Sequence, residues 1–169
     1  MPVKAIKGAI MRWLGVILAS IMLLATTAAH AAQMAGFHGL PWGTELFSLS
    51  SAEFSRVFPV KGIAPEMESY QRKNDSLKLD SVVVESINYN FKKGKLVSVN
   101  IDFNGFHNYE GLLAYCEQQI GPVTTSMAKN MELVTSFEAP KTGALIVFQA
   151  GASQINFGRL FLFSNDWLH

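Results

Sequence analysis

A pair of β-rich runs, residues 81–91 and 96–103, constrains the fold of this chain most. Apolar and polar residues alternate along the second run, which reads Val97-Ser98-Val99-Asn100-Ile101-Asp102-Phe103, and a period of two is the pattern of a half-buried strand. The link between the runs, Lys92-Lys93-Gly94-Lys95, is short, polar and contains glycine, as hairpin turns do. The two runs therefore predict an antiparallel hairpin with one face in the core and the other face in water.

Two helices are predicted, one on each side of this hairpin. The longer helix covers about residues 108–119 and ends at Gly121-Pro122, because glycine followed by proline stops a helix. The shorter helix covers residues 53–58, whose apolar residues fall three and four apart, and it ends at Pro59. The apolar positions of the longer helix are Tyr109, Leu112, Leu113, Cys116 and Ile120.

Four further strands complete the predicted fold. Residues 67–73 are expected to form an edge strand, and residues 131–138, 144–150 and 155–163 a meander, since the links between the meander strands are short. Such an order of strands and helices suits an antiparallel sheet with its helices on one face. The predicted fold class is therefore α+β, with an antiparallel sheet of about five to six strands and two helices on one face.

The first 31 residues have the parts of a secretory signal peptide in the order that export requires. Lys4, Lys7 and Arg12 give a positive start, an apolar run covers residues 13–25, and Ala29-His30-Ala31 fits the small-x-small cleavage pattern. The run is shorter than the roughly 20 residues of a membrane-spanning helix, which favours cleavage over a retained N-terminal anchor. We therefore expect a signal peptide (1–31) and one α+β domain (32–169), located in the bacterial periplasm or secreted, with no stable membrane span after cleavage.

The charge of the domain argues against nucleic acid as a partner. The signal segment holds three of the 14 Lys and Arg residues and none of the 13 Asp and Glu residues, so the domain has 11 against 13 and a formal charge of −2. Proteins that bind nucleic acid normally carry a basic patch or stripe. The expected partner is instead an envelope protein or a small molecule.

The chain has one cysteine, Cys116, which cannot form an internal disulfide. Apolar residues surround it at helical spacing, so we predict a buried and unreactive thiol, because reactive thiols lie exposed beside positive charge. An exposed thiol would instead allow two copies of the chain to join through a disulfide.

No motif in residues 32–169 identifies a reaction. The segment lacks a phosphate-binding glycine loop, a Cys-x-x-Cys pair, a paired-histidine zinc helix and a Gly-x-Ser-x-Gly nucleophile elbow. No catalytic residue, cofactor or metal ligand is therefore assigned. The binding candidates are four isolated polar residues: Glu85, Asp102, His107 and Arg159.

Each candidate has a chemical and a structural interpretation. Glu85 alternates with apolar strand residues, which would raise its pKa toward that of a general acid, or it forms an ion pair with Arg159. Asp102 and His107 lie five residues apart and would meet as carboxylate and imidazole in a hydrolytic site, or they are a solvent-facing strand residue and a loop histidine.

Three segments carry a resemblance to other proteins: Phe37-His38-Gly39-Leu40-Pro41-Trp42-Gly43-Thr44, Tyr70-Gln71-Arg72-Lys73 and Tyr89-Asn90-Phe91. In these segments the chain resembles a family of small, uncharacterised exported bacterial proteins. That family shares a Phe-x-Gly-x-x-Trp-Gly-Thr opening, a Tyr-x-Arg-Lys segment and a Tyr-x-Phe hairpin followed by a helix ending in Gly-Pro. The resemblance spans about residues 37–122 and implies no activity.

A second similarity rests on element order and size alone. The chain is similar in this respect to small envelope lipoproteins of the outer-membrane assembly machinery, which act through protein contacts. It differs from them in lacking a lipidated cysteine and in having more strands.

Three functions are consistent with these observations. The first is an exported binding or protein-interaction module without catalytic activity, indicated by the signal peptide, the missing motifs and the aromatic-rich sheet. The second is a small hydrolase that uses Asp102 and His107, or Glu85. The third is a self-associating envelope structural protein, joined through Cys116 or an exposed strand edge.

Overall fold

Paired β-strands hold just over half of the residues that the structure describes. The computed structural model describes residues 34–57, 66–150 and 156–167. These residues contain one α-helix, α1 (Phe106–Gln119), and two short 3-10 helices, Leu46–Ser48 and Asn165–Trp167. Their strands are β1 (Gly36–Phe37), β2 (Leu40–Pro41), β3 (Phe54–Val57), β4 (Met67–Arg72), β5 (Lys78–Leu79), β6 (Val82–Val83), β7 (Ser86–Lys92), β8 (Lys95–Asn104), β9 (Val123–Lys129), β10 (Glu132–Glu138), β11 (Thr142–Gln149) and β12 (Phe157–Ser164).

Eight of these strands form one antiparallel sheet in the order β3-β4-β7-β8-β12-β11-β10-β9. The central pair, β7 and β8, is the predicted hairpin, closed by a two-residue turn between Lys92 and Lys95. Two small ribbons, β1-β2 and β5-β6, lie outside the sheet. The predicted class, α+β with an antiparallel sheet, is therefore confirmed. The details of five to six strands and two helices are wrong, because the described residues hold an eight-stranded sheet and a single α-helix.

The second predicted helix, residues 53–58, is wrong where the structure describes it. Phe54–Val57 is strand β3, paired with β4 and with Phe54 opposite Arg72. Phe54 is buried and meets the Tyr89 ring edge-on at 5.6 Å. A short run of apolar residues fits both periods, and here pairing with β4 satisfies the backbone and decides the outcome. Phe58 and Pro59 lie outside the described residues.

Three other strands differ from the prediction: one in its place in the sheet, one in its first residue, and one in that it was not predicted. The stretch predicted as an edge strand, β4, lies inside the sheet between β3 and β7. The first hairpin strand begins at Ser86, since Val82–Val83 pairs with β5 instead. Strand β9 was missed because all seven of its residues are exposed, so no alternation of apolar and polar residues marks it.

Helix α1 covers one face of the sheet and closes the core. Its buried residues are Tyr109, Leu112 and Cys116. The Tyr109 ring stacks on Phe148 of β11 at 4.9 Å, and Tyr89 and Ile101 of the central strands are also fully buried. The predicted longer helix is therefore confirmed.

The opposite face of the central strands is buried too, against the expectation of a wet face. Ser98 and Asn100 of β8 are 6% and 4% exposed. They lie in register with Phe163 and Phe161 of β12 on one side and with Asn90 and Asn88 of β7 on the other. The phenylalanine side chains flank these short polar side chains and shield them from water. Hydrogen bonds among the polar side chains offset the cost of burying them. Ser69 Oγ donates to Asn90 Oδ1, and Asn90 Nδ2 donates to Ser98 Oγ.

No helix within the described residues combines the length and the hydropathy needed to cross a membrane. The predicted signal peptide and its cleavage after Ala31 lie outside the described residues.

Candidate functional site

The four sequence candidates do not assemble into one site. Asp102 accepts hydrogen bonds from Arg159 Nε at 2.5 Å and from Ser86 Oγ at 2.8 Å. His107 is exposed on α1, and although both residues are described, no hydrogen bond or ion pair joins it to Asp102. Arg159 therefore pairs with Asp102 and not with Glu85.

Glu85 lies outside the apolar face of the central hairpin. It is exposed in the link before β7, and its backbone N–H donates to the Asp102 carbonyl at 2.8 Å. An exposed carboxylate lacks the apolar surroundings that would make it a general acid.

The thiol of Cys116 lies on the buried face of α1 and is fully buried. Burial, together with the nearby Glu117 carboxylate, raises the pKa of this thiol to about 12. A thiol in this state is a poor nucleophile and cannot meet a second copy of the chain.

A cleft lined by two tryptophans lies at the turn end of the β7-β8 hairpin. Its volume is about 420 Å³, and apolar atoms contribute most of its lining. We call it the tryptophan cleft; its wall residues include Trp42, Trp167, Val97, Lys92, Lys93 and Lys95.

The cleft exists because β12 is shorter than β8. Strand β12 pairs with β8 only as far as Ser98, and the 3-10 helix that carries Trp167 follows it. Beyond that point the Trp42–Leu46 segment takes the place beside β8. Gly43 N–H donates to the Leu96 carbonyl at 2.8 Å, and Leu96 N–H donates to the Thr44 carbonyl at 2.9 Å.

Trp42 is held in place from within the core. Its Nε1 donates to Thr142 Oγ1 at 2.8 Å, and the Thr142 hydroxyl in turn donates to the Met34 carbonyl. The Trp167 Nε1 is buried, and no described residue accepts its hydrogen bond. An unpaired buried donor costs stability, and native proteins carry few of them, often at functional sites.

The hairpin turn places three lysines at the cleft. Lys93 and Gly94 both have positive φ, 50° and 74°, which is the conformation of a type I′ turn. Lys92 is paired with Glu66 at 3.2 Å, and its Nζ lies 5.4 Å from the centre of the Trp167 ring. Lys93 and Lys95 are exposed.

A β-bulge shapes the same wall. Phe91 pairs with Leu96 and Asn90 pairs with Ser98, so Val97 has no partner on β7. A bulge redirects the side chain of the extra residue, and Val97 lines the cleft.

A second cluster joins the β1-β2 ribbon to the loop after β4. His38 Nδ1 lies 2.9 Å from Asp75 Oδ1, and Tyr89 Oη donates to Asp75 Oδ2 at 2.5 Å. We call this the His38–Asp75 pair. Because an ionised carboxylate only accepts hydrogen bonds, His38 Nδ1 is the donor to Asp75 Oδ1.

Neighbouring residues hold the His38 ring in position and lower the pKa of Asp75. The His38 ring stacks on Phe37 at 4.0 Å, and its backbone φ of 45° is unusual for a residue other than glycine. Burial of the Asp75 carboxylate is the largest influence on its pKa and would raise it. The hydrogen bonds from His38 and Tyr89, with the Arg72 guanidinium nearby, outweigh burial and lower the pKa of Asp75.

An open cleft of about 590 Å³ adjoins this pair, and Arg72, Lys73 and Glu53 also line it. Arg72 lies 3.6 Å from Glu53, a separation that allows a weak ion pair. The arrangement provides an oriented imidazole beside two cations.

Sequence reasoning missed the pairings in both clusters. The candidates predicted from the sequence include neither Trp42 nor Trp167, although Trp42 belongs to the Phe-x-Gly-x-x-Trp-Gly-Thr opening together with His38. That shared motif is the one sequence signal that could have linked Trp42 with His38. Within the described part of the chain, no three His, Cys, Asp or Glu side chains are grouped to hold a metal ion.

No known protein family matches this sequence, and no curated protein or solved structure is significantly similar to it.

Proposed function

We propose that this chain is an exported, non-catalytic binding module that takes its ligand in the tryptophan cleft. The observation that carries the proposal is a concave, mainly apolar cleft of about 420 Å³ with two tryptophans and three lysines in its wall. Pockets for small molecules have this character, with a few charged groups on an apolar surface.

The wall chemistry favours binding over reaction. Among the described residues, the titratable side chains that line the cleft are Lys92, Lys93, Lys95 and Asp166, and none of these is a histidine or cysteine. Tryptophan offers a large rigid surface that loses little conformational entropy when a ligand covers it. Histidine is the side chain that most often acts as a general base, so its absence from the described wall supports binding over reaction.

The test is native mass spectrometry of the protein purified gently from the exported fraction of its host. We expect a co-purifying small molecule, seen as a mass above that of the denatured chain. Trp167→Ala should lower its affinity about tenfold, because a large part of the apolar wall is lost. Phe47→Ala is the matched control, since Phe47 is an 85% exposed aromatic residue that does not line the cleft.

The two variants separate the possible outcomes. A ligand retained equally by Trp167→Ala and Phe47→Ala would place the binding site elsewhere. A bare chain, together with no binding of the aromatic probes described below, would count against the binding function itself.

A second candidate function is hydrolysis at the His38–Asp75 pair. The supporting observation is the imidazole whose Nδ1 is held by Asp75 while the described residues offer Nε2 no partner. Such a ring can accept a proton from water as the water attacks an ester, and then return the proton to the leaving oxygen. Arg72 and Lys73 would stabilise the negative charge that develops.

This candidate is tested with p-nitrophenyl acetate and p-nitrophenyl phosphate. If it holds, the wild type hydrolyses one of them, and His38→Gln lowers the rate at least about tenfold, within the range for loss of a general base. His107→Gln is the matched control, because His107 is exposed and not bonded to Asp102. An inactive wild type, or equal rates in the two variants, would reject hydrolysis by His38.

A further inference from the structure

Three of the ten lysines of this chain, Lys92, Lys93 and Lys95, lie at the tryptophan cleft. We infer that the ligand of the cleft is an organic anion: a flat apolar ring system that carries a sulfonate, phosphate or carboxylate group. This inference rests on the proposed binding function and names its ligand class.

The charge around the cleft differs in sign from that of the whole domain. Residues 32–169 have 11 Lys and Arg against 13 Asp and Glu, yet three of the 11 fall within the four residues 92–95. Asp166 is the one acidic side chain among the described residues of the cleft wall, and Glu66 offsets Lys92 at 3.2 Å. One positive charge remains after both offsets, so the cleft attracts an anion although the domain is slightly negative.

Lys93 and Lys95 are the cations best placed to meet that anion. Both are exposed and line the cleft, and within the described residues neither is held in an ion pair. Lys92 has a different role, since Glu66 and the face of the Trp167 ring already hold its ammonium. It stiffens the wall against which the ligand would lie.

The rest of the wall selects the ring system. Trp42, Trp167 and Val97 contribute apolar surface to the cleft. A small inorganic anion would leave this surface in water, whereas fused or linked rings would cover it. Covering apolar area supplies affinity, and the lysines then supply the preference for an anion.

Two dyes that differ by one charged group provide the test. 8-Anilinonaphthalene-1-sulfonate and N-phenyl-1-naphthylamine have the same rings, and only the first carries a sulfonate. Dye fluorescence measures binding, and Trp167→Ala shows whether the bound dye lies in the cleft, because Trp167 lines it. We expect the sulfonate to bind at least about tenfold more tightly, with the difference decreasing as salt is added.

Matched charge variants locate the effect. Lys93→Asn with Lys95→Gln should remove most of the preference for the sulfonate; asparagine is chosen at 93 because it tolerates the positive φ found there. Lys78→Gln with Lys129→Gln removes two exposed lysines that line neither this cleft nor the one beside the His38–Asp75 pair, and it should leave the preference unchanged.

The outcomes distinguish this inference from the binding function beneath it. Equal binding of the two dyes, weakened by Trp167→Ala, would overturn the anion inference and leave a binding site for uncharged rings. Dye binding that Trp167→Ala does not change would overturn it by placing the dyes elsewhere. If neither dye bound, the anion inference would also be overturned. If native mass spectrometry then showed no mass above that of the denatured chain, the proposed binding function would be rejected too.

Discussion

Replacing Asp75 with alanine is expected to lower the free energy of unfolding by about 2–4 kcal/mol. The side chain of Asp75 is 8% exposed and accepts hydrogen bonds from His38 at 2.9 Å and from Tyr89 at 2.5 Å. Tyr89 is fully buried, so its hydroxyl would lose its partner where water cannot easily replace it. The variant would also release His38, and with it the link between the β1-β2 ribbon and the loop after β4.

Urea denaturation measures this effect. Asp166→Ala is the control, because Asp166 is an exposed aspartate and should change stability by no more than about 0.5 kcal/mol. A loss for Asp75→Ala as small as that of the control would show that the cluster contributes little to the fold.

The contribution of Asp75 should depend on pH in a defined direction. Its pKa is lowered in the folded protein, so the folded state favours the ionised carboxylate more than the unfolded state does. The stabilisation is therefore complete above the unfolded value of about 3.9 and is lost as the pH falls through the lower folded value. Asp75→Asn cannot ionise, so the stability difference between it and the wild type should be constant near neutral pH and shrink below about pH 4.

The strands that could be predicted are those whose sequence alternates. Residues 96–103 show the period of two, and the β7-β8 hairpin and its glycine turn follow from that pattern alone. Strand β9 carries no such pattern because it is exposed along its whole length. It is a strand because β10 pairs with it, which is a tertiary effect that local sequence does not record.

The polar face of β8 illustrates a second limit. Ser98 and Asn100 have the polarity of solvent-facing residues, yet Phe161 and Phe163 of β12 flank them in the sheet. Those phenylalanines lie about 60 residues further along the chain, so the shielding depends on strand order, which the sequence did not specify. The side-chain pairings follow strand order in the same way. Asp102 and His107 are close in sequence but not bonded to each other, whereas His38 and Asp75 are 37 residues apart and bonded.

Both clusters depend on the short segment that opens the described chain. The β1-β2 ribbon carries His38 in its turn, and Trp42 follows it directly. One end of the segment is tied to Asp75, and the other is tied to Thr142 through the Trp42 indole. A change that opens the ribbon should therefore disturb the His38–Asp75 pair and the tryptophan cleft together.

Gly36→Ala is expected to make that change and to lower the free energy of unfolding by about 2–4 kcal/mol. A Cβ at position 36 would lie 2.2 Å from the Leu40 carbonyl oxygen and 2.6 Å from Pro41 Cα. Both are backbone atoms, so no side-chain rotation relieves the contact, and the ribbon must open. Urea denaturation measures the stability, and binding of 8-anilinonaphthalene-1-sulfonate measures the cleft, where the affinity should fall at least about threefold as Trp42 loses its position.

Gly39→Asn is the matched control for this substitution, because it changes a glycine of the same segment without a clash. Gly39 has a φ of 80° and open space where a Cβ would lie, and asparagine tolerates positive φ better than most residues. We expect it to cost less than about 1 kcal/mol and to leave dye binding unchanged. If Gly36→Ala lost stability but kept the dye affinity of the wild type, the ribbon would be a structural tie that does not position Trp42. If it kept both, the ribbon would tolerate a Cβ at position 36, and the steric argument would be wrong.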